Sequence, residues 1–235
     1  MTDHPHTILP KPKPAGPNWT RMLKVWLLLA AGMTVAALAC WAAMPRTGAA
    51  GSRGEVLPDT AAIQDLVWPR RMAPGRPWRH IVIHHTATPS ATIEAIERNH
   101  NGLGFEGVGY HFVINNGVAP GTADGEITPT DRWIEQRPGA HARVANHPEF
   151  NTAGIGVCLV GNFEQTPPSA AQMASLEMLV LALRQRYGIG LEGIVGHGEL
   201  KNTQCPGRLF PMETLLMDLR QMHLRHYLET LPGRP

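Results

Sequence analysis

Two short stretches carry side chains able to hold a metal ion. The first, IVIHHT at residues 81–86, runs three apolar residues into His84 and His85. The second, GHGELKNTQCPG at residues 196–207, places Cys205 eight residues after His197 in a Cys-Pro-Gly turn. Imidazole and thiolate are zinc ligands, and a catalytic zinc takes three protein ligands and leaves the fourth tetrahedral position to water. Two histidines and one cysteine on neighbouring strand ends meet that count. Successive side chains of a strand face opposite ways, so His84 and His85 do not both enter one site. The residues alone leave open which of them is the ligand. A histidine at a strand end also serves as a hydrogen-bonded rim group. A disulfide between Cys158 and Cys205, the only cysteines outside the apolar N-terminal segment, is the competing use of the thiols in an oxidising compartment.

The elements that must position these groups follow from pattern. Residues 81–86 read as a buried strand, GYHFVI (109–114) as a second, GIGVCLV (154–160) as a third and IVGH (194–197) as a short fourth. Ser90 or Thr92 caps a helix over 93–100, and NNG after the second strand is a turn signal. SAAQ, Ser169 to Gln172, matches a capping box and opens a helix carrying Met173, Leu176, Leu179 and Val180, stopped by Gly188. Pro211 starts a last amphipathic helix. Strands interleaved with helices give an α/β fold: a central mixed β-sheet flanked by helices, one domain over residues 76–228.

The first quarter of the chain reads differently. Residues 1–24 hold Lys11, Lys13, Arg21 and Lys24 against Asp3, a local +3 that leaves −1 for everything after it. Bulk charge therefore gives no argument for a nucleic-acid partner. From Val25 to Met44 the chain has no charge, and that length spans a hydrocarbon core of about 30 Å as a helix. The basic flank keeps residues 1–24 cytoplasmic as an N-terminal tail. The segment is expected to be an uncleaved transmembrane anchor. A cleaved signal ending at Gly48, Ala49 and Ala50, or a lipid attached at Cys40, are the alternatives, and all three export the rest of the chain. Residues 45–75, rich in Gly, Pro, Ala and Arg, read as a linker with one apolar patch around Ile63, Leu66, Val67 and Trp68, of which Trp68 can instead fold back onto the domain.

Taken in order, IVIHHTAT, GYHFVI, GAH (139–141), GIGVCLVGNFE (154–164) and GHGELKNTQCPG resemble the zinc-dependent N-acetylmuramoyl-L-alanine amidases. That fold is shared by amidase-type phage lysozymes and peptidoglycan recognition proteins. The resemblance covers about residues 78–212 and implies Zn2+ held by His84, His197 and Cys205, with His85 on the opposite face. It implies that Tyr110 helps stabilise the attacked carbonyl, and it places Thr203 where some phage members carry a catalytic lysine and many others a threonine. His141 is implied as a groove residue. From the residues themselves, Asn162 and Glu164 read as a strand-end loop, with Asn162 a candidate for substrate contact. A cytosolic branch has an acidic ligand in place of the cysteine and a glutamate in the third strand; here those positions hold Cys205 and Cys158.

The implied activity is hydrolysis of the amide between N-acetylmuramic acid and L-alanine of the peptidoglycan stem peptide, in the periplasm, by a membrane-anchored monomer. Members that only recognise peptidoglycan typically lack the cysteine, so the alternative is a non-catalytic binding module. The segment 121–141 reads as a loop and as the specificity element, and it departs most from the common pattern, together with NHPEF at 146–150.

Overall fold

The computed structural model describes residues 60–230, together with Leu23, Lys24 and Trp26. The chain divides into two units, 1–55 and 56–235. Of the first unit only those three residues are described; they are helical and exposed. The rest of the apolar span 25–44 lies outside the described residues, among which no helix is long and apolar enough to cross a membrane.

In the second unit, helix α1 (Thr60–Val67) precedes strand β1 (His80–His85), helix α2 (Ile93–Gly102), strands β2 (Phe112–Asn116) and β3 (Asp124–Pro129), and short helices α3 (Asp131–Ile134) and α4 (Glu149–Thr152). Strand β4 (Gly154–Leu159), helix α5 (Ala170–Tyr187), strand β5 (Ile194–Gly196), short helix α6 (His197–Leu200) and helix α7 (Met212–Thr230) complete it. The sheet order is β3-β2-β4-β1-β5. β1, β2, β4 and β5 pair in parallel and β3 joins β2 antiparallel, so the sheet is mixed as expected.

Alternation within the strands sorts the side chains onto two faces. Ile81 and Ile83 of β1, Phe112 and Ile114 of β2, and Ile155, Val157 and Leu159 of β4 enter the main core. There they meet Leu176, Leu179 and Leu183 of α5 and Leu215 and Leu219 of α7, all fully buried. Each such side chain contributes about 1.5–3 kcal/mol on burial. The register pairs His84 with Cys158 and Cys158 with Val113, placing these three on the opposite face. That face carries a smaller apolar cluster of Ile96, Val108, Val113 and Val160, with Tyr110 packed against it.

Local signals account for several ends. The Thr92 hydroxyl, and not Ser90, accepts the Ala95 N–H and caps α2. The Ser169–Gln172 capping box is formed, and Gly188 closes α5 in the left-handed conformation at φ 66°.

Two regions differ from the sequence reading. Residues 121–141 are not one loop: they contain β3 and α3. β3 holds Gly125 and Pro129 and buries only Ile127, so it lacks the alternation that marks a strand. α3 sends Trp133 fully into the core. The second region is the linker. Ile63 and Val67 of α1 belong to the main core, and the Trp133 indole N–H donates to the Val67 carbonyl at 2.6 Å. The apolar patch is thus folded onto the domain. Replacing Trp133 with Phe strands that carbonyl and leaves a void, so urea unfolding should show a loss of about 1–3 kcal/mol. An unchanged midpoint would mean that α1 docks without this bond.

Candidate metal centre

β1 and β5 deliver two histidines to one rim. One residue beyond the last β1–β5 pair, Ile83 with Gly196, come His84 and His197. Their ring centroids are 4.6 Å apart. Cys205 arrives on the turn that follows α6. The Gly198 N–H donates to the Cys205 carbonyl at 2.6 Å. A Cβ at Gly198 would stand 2.8 Å from the Thr203 carbonyl oxygen and 2.9 Å from that of Cys205, so the turn closes over glycine alone. One donor atom from each of His84, His197 and Cys205 lies within 4.8 Å of the others, and no Asp or Glu belongs to the cluster. Cys158 and Cys205 are both free, so the competing disulfide is not formed.

The donors fit a zinc ion. Ligand bonds of about 2.0–2.1 Å to nitrogen and 2.3 Å to sulfur, at tetrahedral angles, set N and S about 3.5 Å apart. His84 Nδ1 and Cys205 Sγ are 3.7 Å apart. His197 Nε2 is buried with no hydrogen-bond partner, an orphan that a cation would satisfy. Cys205 Sγ also accepts the His85 N–H at 3.4 Å.

Electrostatics favour neutral groups. Burial, followed by the neighbouring His141, His197 and His85, holds His84 well below the usual imidazole range. Burial pushes the Cys205 thiol up to about 11 against the pull of the His85 N–H. A thiolate here therefore needs a cation beside it.

The two histidines of the pair part as alternation requires. His85 turns to the core face, where its Nδ1 accepts the Phe163 N–H at 3.2 Å. Tyr110 packs between His84 and His100, with ring centroids 5.1 Å from each. Burial, with the Cys158 and Cys205 thiols nearby, pushes its pKa well above the ordinary value, so it remains a donor. Thr203 accepts the Cys205 N–H on Oγ1 at 3.4 Å and lines, with Cys205, Phe210 and Met212, a cavity of about 430 Å³. A second cavity of about 290 Å³ is lined by Thr86, Thr88, Ser90, Asn99, His100 and Tyr110.

Two sequence-derived site residues lie elsewhere than expected. Asn162 serves the turn after β4: its side-chain oxygen accepts the Glu164 N–H and its carbonyl accepts from Gln165 and Thr166. It lines neither of those two cavities. His141 is not a groove wall. It is buried at 8% exposure beneath His84, with both ring nitrogens bonded. Cys158 is fully buried in β4. The β1–β4 register sets it level with His84.

The site is thus a His/His/Cys donor set suited to a metal ion, at the strand ends of a mixed five-stranded sheet in an α/β domain. The chain belongs to the N-acetylmuramoyl-L-alanine amidase family, whose profile matches residues 74–208, more than half of its length. It is 27% identical over 164 residues to a peptidoglycan-recognition protein of Drosophila simulans, covering 66% of this chain and 82% of that protein. It is 28% identical over 201 residues to an N-acetylmuramoyl-L-alanine amidase of Sus scrofa, covering 83% of this chain and 30% of that longer protein. Among solved structures, the amidase LysC from Clostridium intestinale URNW superposes with a TM-score of 0.53 at 30% identity, covering 63% of this chain and 91% of that one.

Two outcomes follow. Cys205→Ser should lose zinc uptake, measured by metal analysis after dialysis, while far-ultraviolet circular dichroism is unchanged; full zinc occupancy would remove Cys205 from the ligand set. The second concerns acid. Burial holds His111 down at about 3 in the fold, against 6.5 for an ordinary imidazole. The unfolded chain then binds the extra proton below 6.5, so stability present above that pH is lost as pH falls toward 3. The slope is up to about 1.4 kcal/mol per pH unit for each such histidine. Urea midpoints of the metal-free protein should decline from pH 7 to 4, and flat midpoints would contradict a neutral His111.

Proposed function

We propose that this chain is an exported, zinc-dependent hydrolase of the amide bond between N-acetylmuramic acid and L-alanine in peptidoglycan. The observation that carries the reading is the completeness of the donor set, His84, His197 and Cys205, in a family whose recognition-only members typically lack the cysteine. Zinc, when bound, lowers the pKa of a water toward about 7 and polarises a carbonyl. The protein's own groups do the rest. Tyr110, kept protonated by burial, is the donor for charge developing on the carbonyl oxygen, a contribution on the order of 3 kcal/mol when well placed. Thr203 holds the Cys205 backbone through its hydroxyl oxygen and keeps its own proton to donate. The hydroxyl-lined cavity beside Tyr110 offers neutral partners to the amides and hydroxyls of a muropeptide. Export rests on the uncharged stretch from Val25 to Met44 and its basic flank, which support a single-pass anchor with the amidase unit in the periplasm.

The recognition reading is supported by the names of relatives such as the Drosophila protein. One experiment separates the two. The full chain in detergent is incubated with purified peptidoglycan, with and without a chelator, and products are read by mass spectrometry. Free stem peptide, abolished by chelation and restored by zinc, is the expected result. In the same assay Tyr110→Phe should keep its zinc and lose about 10²-fold in turnover. Binding without cleavage by the zinc-loaded chain would move the protein to the recognition class.

A further inference from the structure

His141 occupies a slot built for an imidazole ring. A Cβ on Gly139 or on Gly156 would collide with that ring, and neither glycine has a positive φ, so both positions are small to make room for His141. Asn151 clamps its backbone. The Asn151 Oδ1 accepts the N–H groups of His141 and Ala142 at 3.1 and 2.9 Å, and its Nδ2 donates to the Ala142 carbonyl at 2.6 Å.

The ring's hydrogen bonds assign its protons. His141 Nε2 is 3.2 Å from the Gly154 carbonyl, which can only accept, so Nε2 carries the proton. In a neutral ring Nδ1 is then a lone pair. That lone pair is 3.1 Å from His84 Nε2, which must donate to it. His84 Nδ1 is left as the free lone pair, and Nδ1 is the atom facing Cys205 Sγ.

We infer that His141 is a positioning residue: it locks His84 in the Nε2–H tautomer and so presents Nδ1 as the ligand atom for the metal. The inference rests on the metal-centre reading above. It assigns to a neutral imidazole, backed by a backbone carbonyl, the orienting role that a carboxylate fills behind many metal-binding histidines. No charge is added beneath the sheet, in keeping with a site face that holds no carboxylate partner for His84 among the described residues. The loop GAH and the strand start GIG are parts of one device, since Gly139 and Gly156 shape the slot and Gly154 accepts the last proton.

The test reads tautomers and zinc affinity, not hydrolysis. In the zinc-free full chain with 15N-labelled histidines, two-bond proton–nitrogen spectra should show His84 and His141 both protonated at Nε2. A His84 protonated at Nδ1 overturns the inference. Zinc affinity is then measured by competition with a chromophoric chelator. His141→Leu removes the acceptor and should weaken binding about 10–100-fold. His141→Asn keeps an acceptor oxygen near the Nδ1 position and should recover most of that loss. Wild-type affinity in the leucine variant, or equal loss in both variants, overturns the inference by reducing His141 to packing. If the leucine variant does not fold, the wild-type spectrum still decides. A wild-type chain that takes up no zinc, yet shows the Nε2–H tautomer of His84, sinks the metal reading and leaves the tautomer lock standing. Failure to cleave peptidoglycan touches neither readout.

Discussion

The parity of the central strands governs everything built on them. β1 and β4 run side by side in parallel with His84 level with Cys158 and Ile83 level with Val157. A shift of one residue would exchange the two faces, driving His84 into the aliphatic core and Ile83 to the rim. The fully buried aliphatic residues on the core side make that exchange costly by many kcal/mol. Hydrophobic burial on one side of the sheet thus fixes which imidazole stands on the other. The placement of the His84 donor is a by-product of packing on the face it does not occupy.

On the site face the constraint is different in kind. Imidazoles are buried close together, His84 against His141 and His141 against His111, with ring centroids 5.0 and 5.7 Å apart. A second proton on any of them would be a charge without a counter-ion in a poorly solvated place. Neutral rings suit such a place, and two of them use both nitrogens: His111 accepts the Gly156 N–H and donates to the Arg137 carbonyl, and His141 bridges Gly154 to His84. A neutral, hydrogen-bonded imidazole has one defined lone pair, which is the property a ligand requires.

Much of this could be read from residue types and spacing. The strand carrying His84 and His85, the return of His197 at another strand end, Cys205 eight residues on, and the Ser169–Gln172 cap were all legible because each rests on a short-range rule. Other features depend on partners distant in the chain. His141 lies in a loop without periodicity, so nothing local shows that its ring points down beneath His84. Cys158 looks like one more apolar residue in an apolar strand until the register sets it beside His84. β3 is a strand because β2 offers it an edge, and α1 is part of the domain because Trp133 and the core receive it.

His85 is tied to both sides of the cluster without belonging to it. Its N–H reaches Cys205 across 120 residues of sequence, and its ring reaches Phe163 across 78. The Phe163 carbonyl in turn receives the Leu209 N–H, just beyond the cysteine turn. The donor set is thus assembled through some of the most non-local contacts in the domain. Closing chain segments of that length costs conformational entropy that only a formed sheet offsets. The arrangement of the donors accordingly depends on the formed sheet. In the unfolded chain the three donors lie scattered, and the geometry suited to a metal exists only where the sheet has brought the strand ends together.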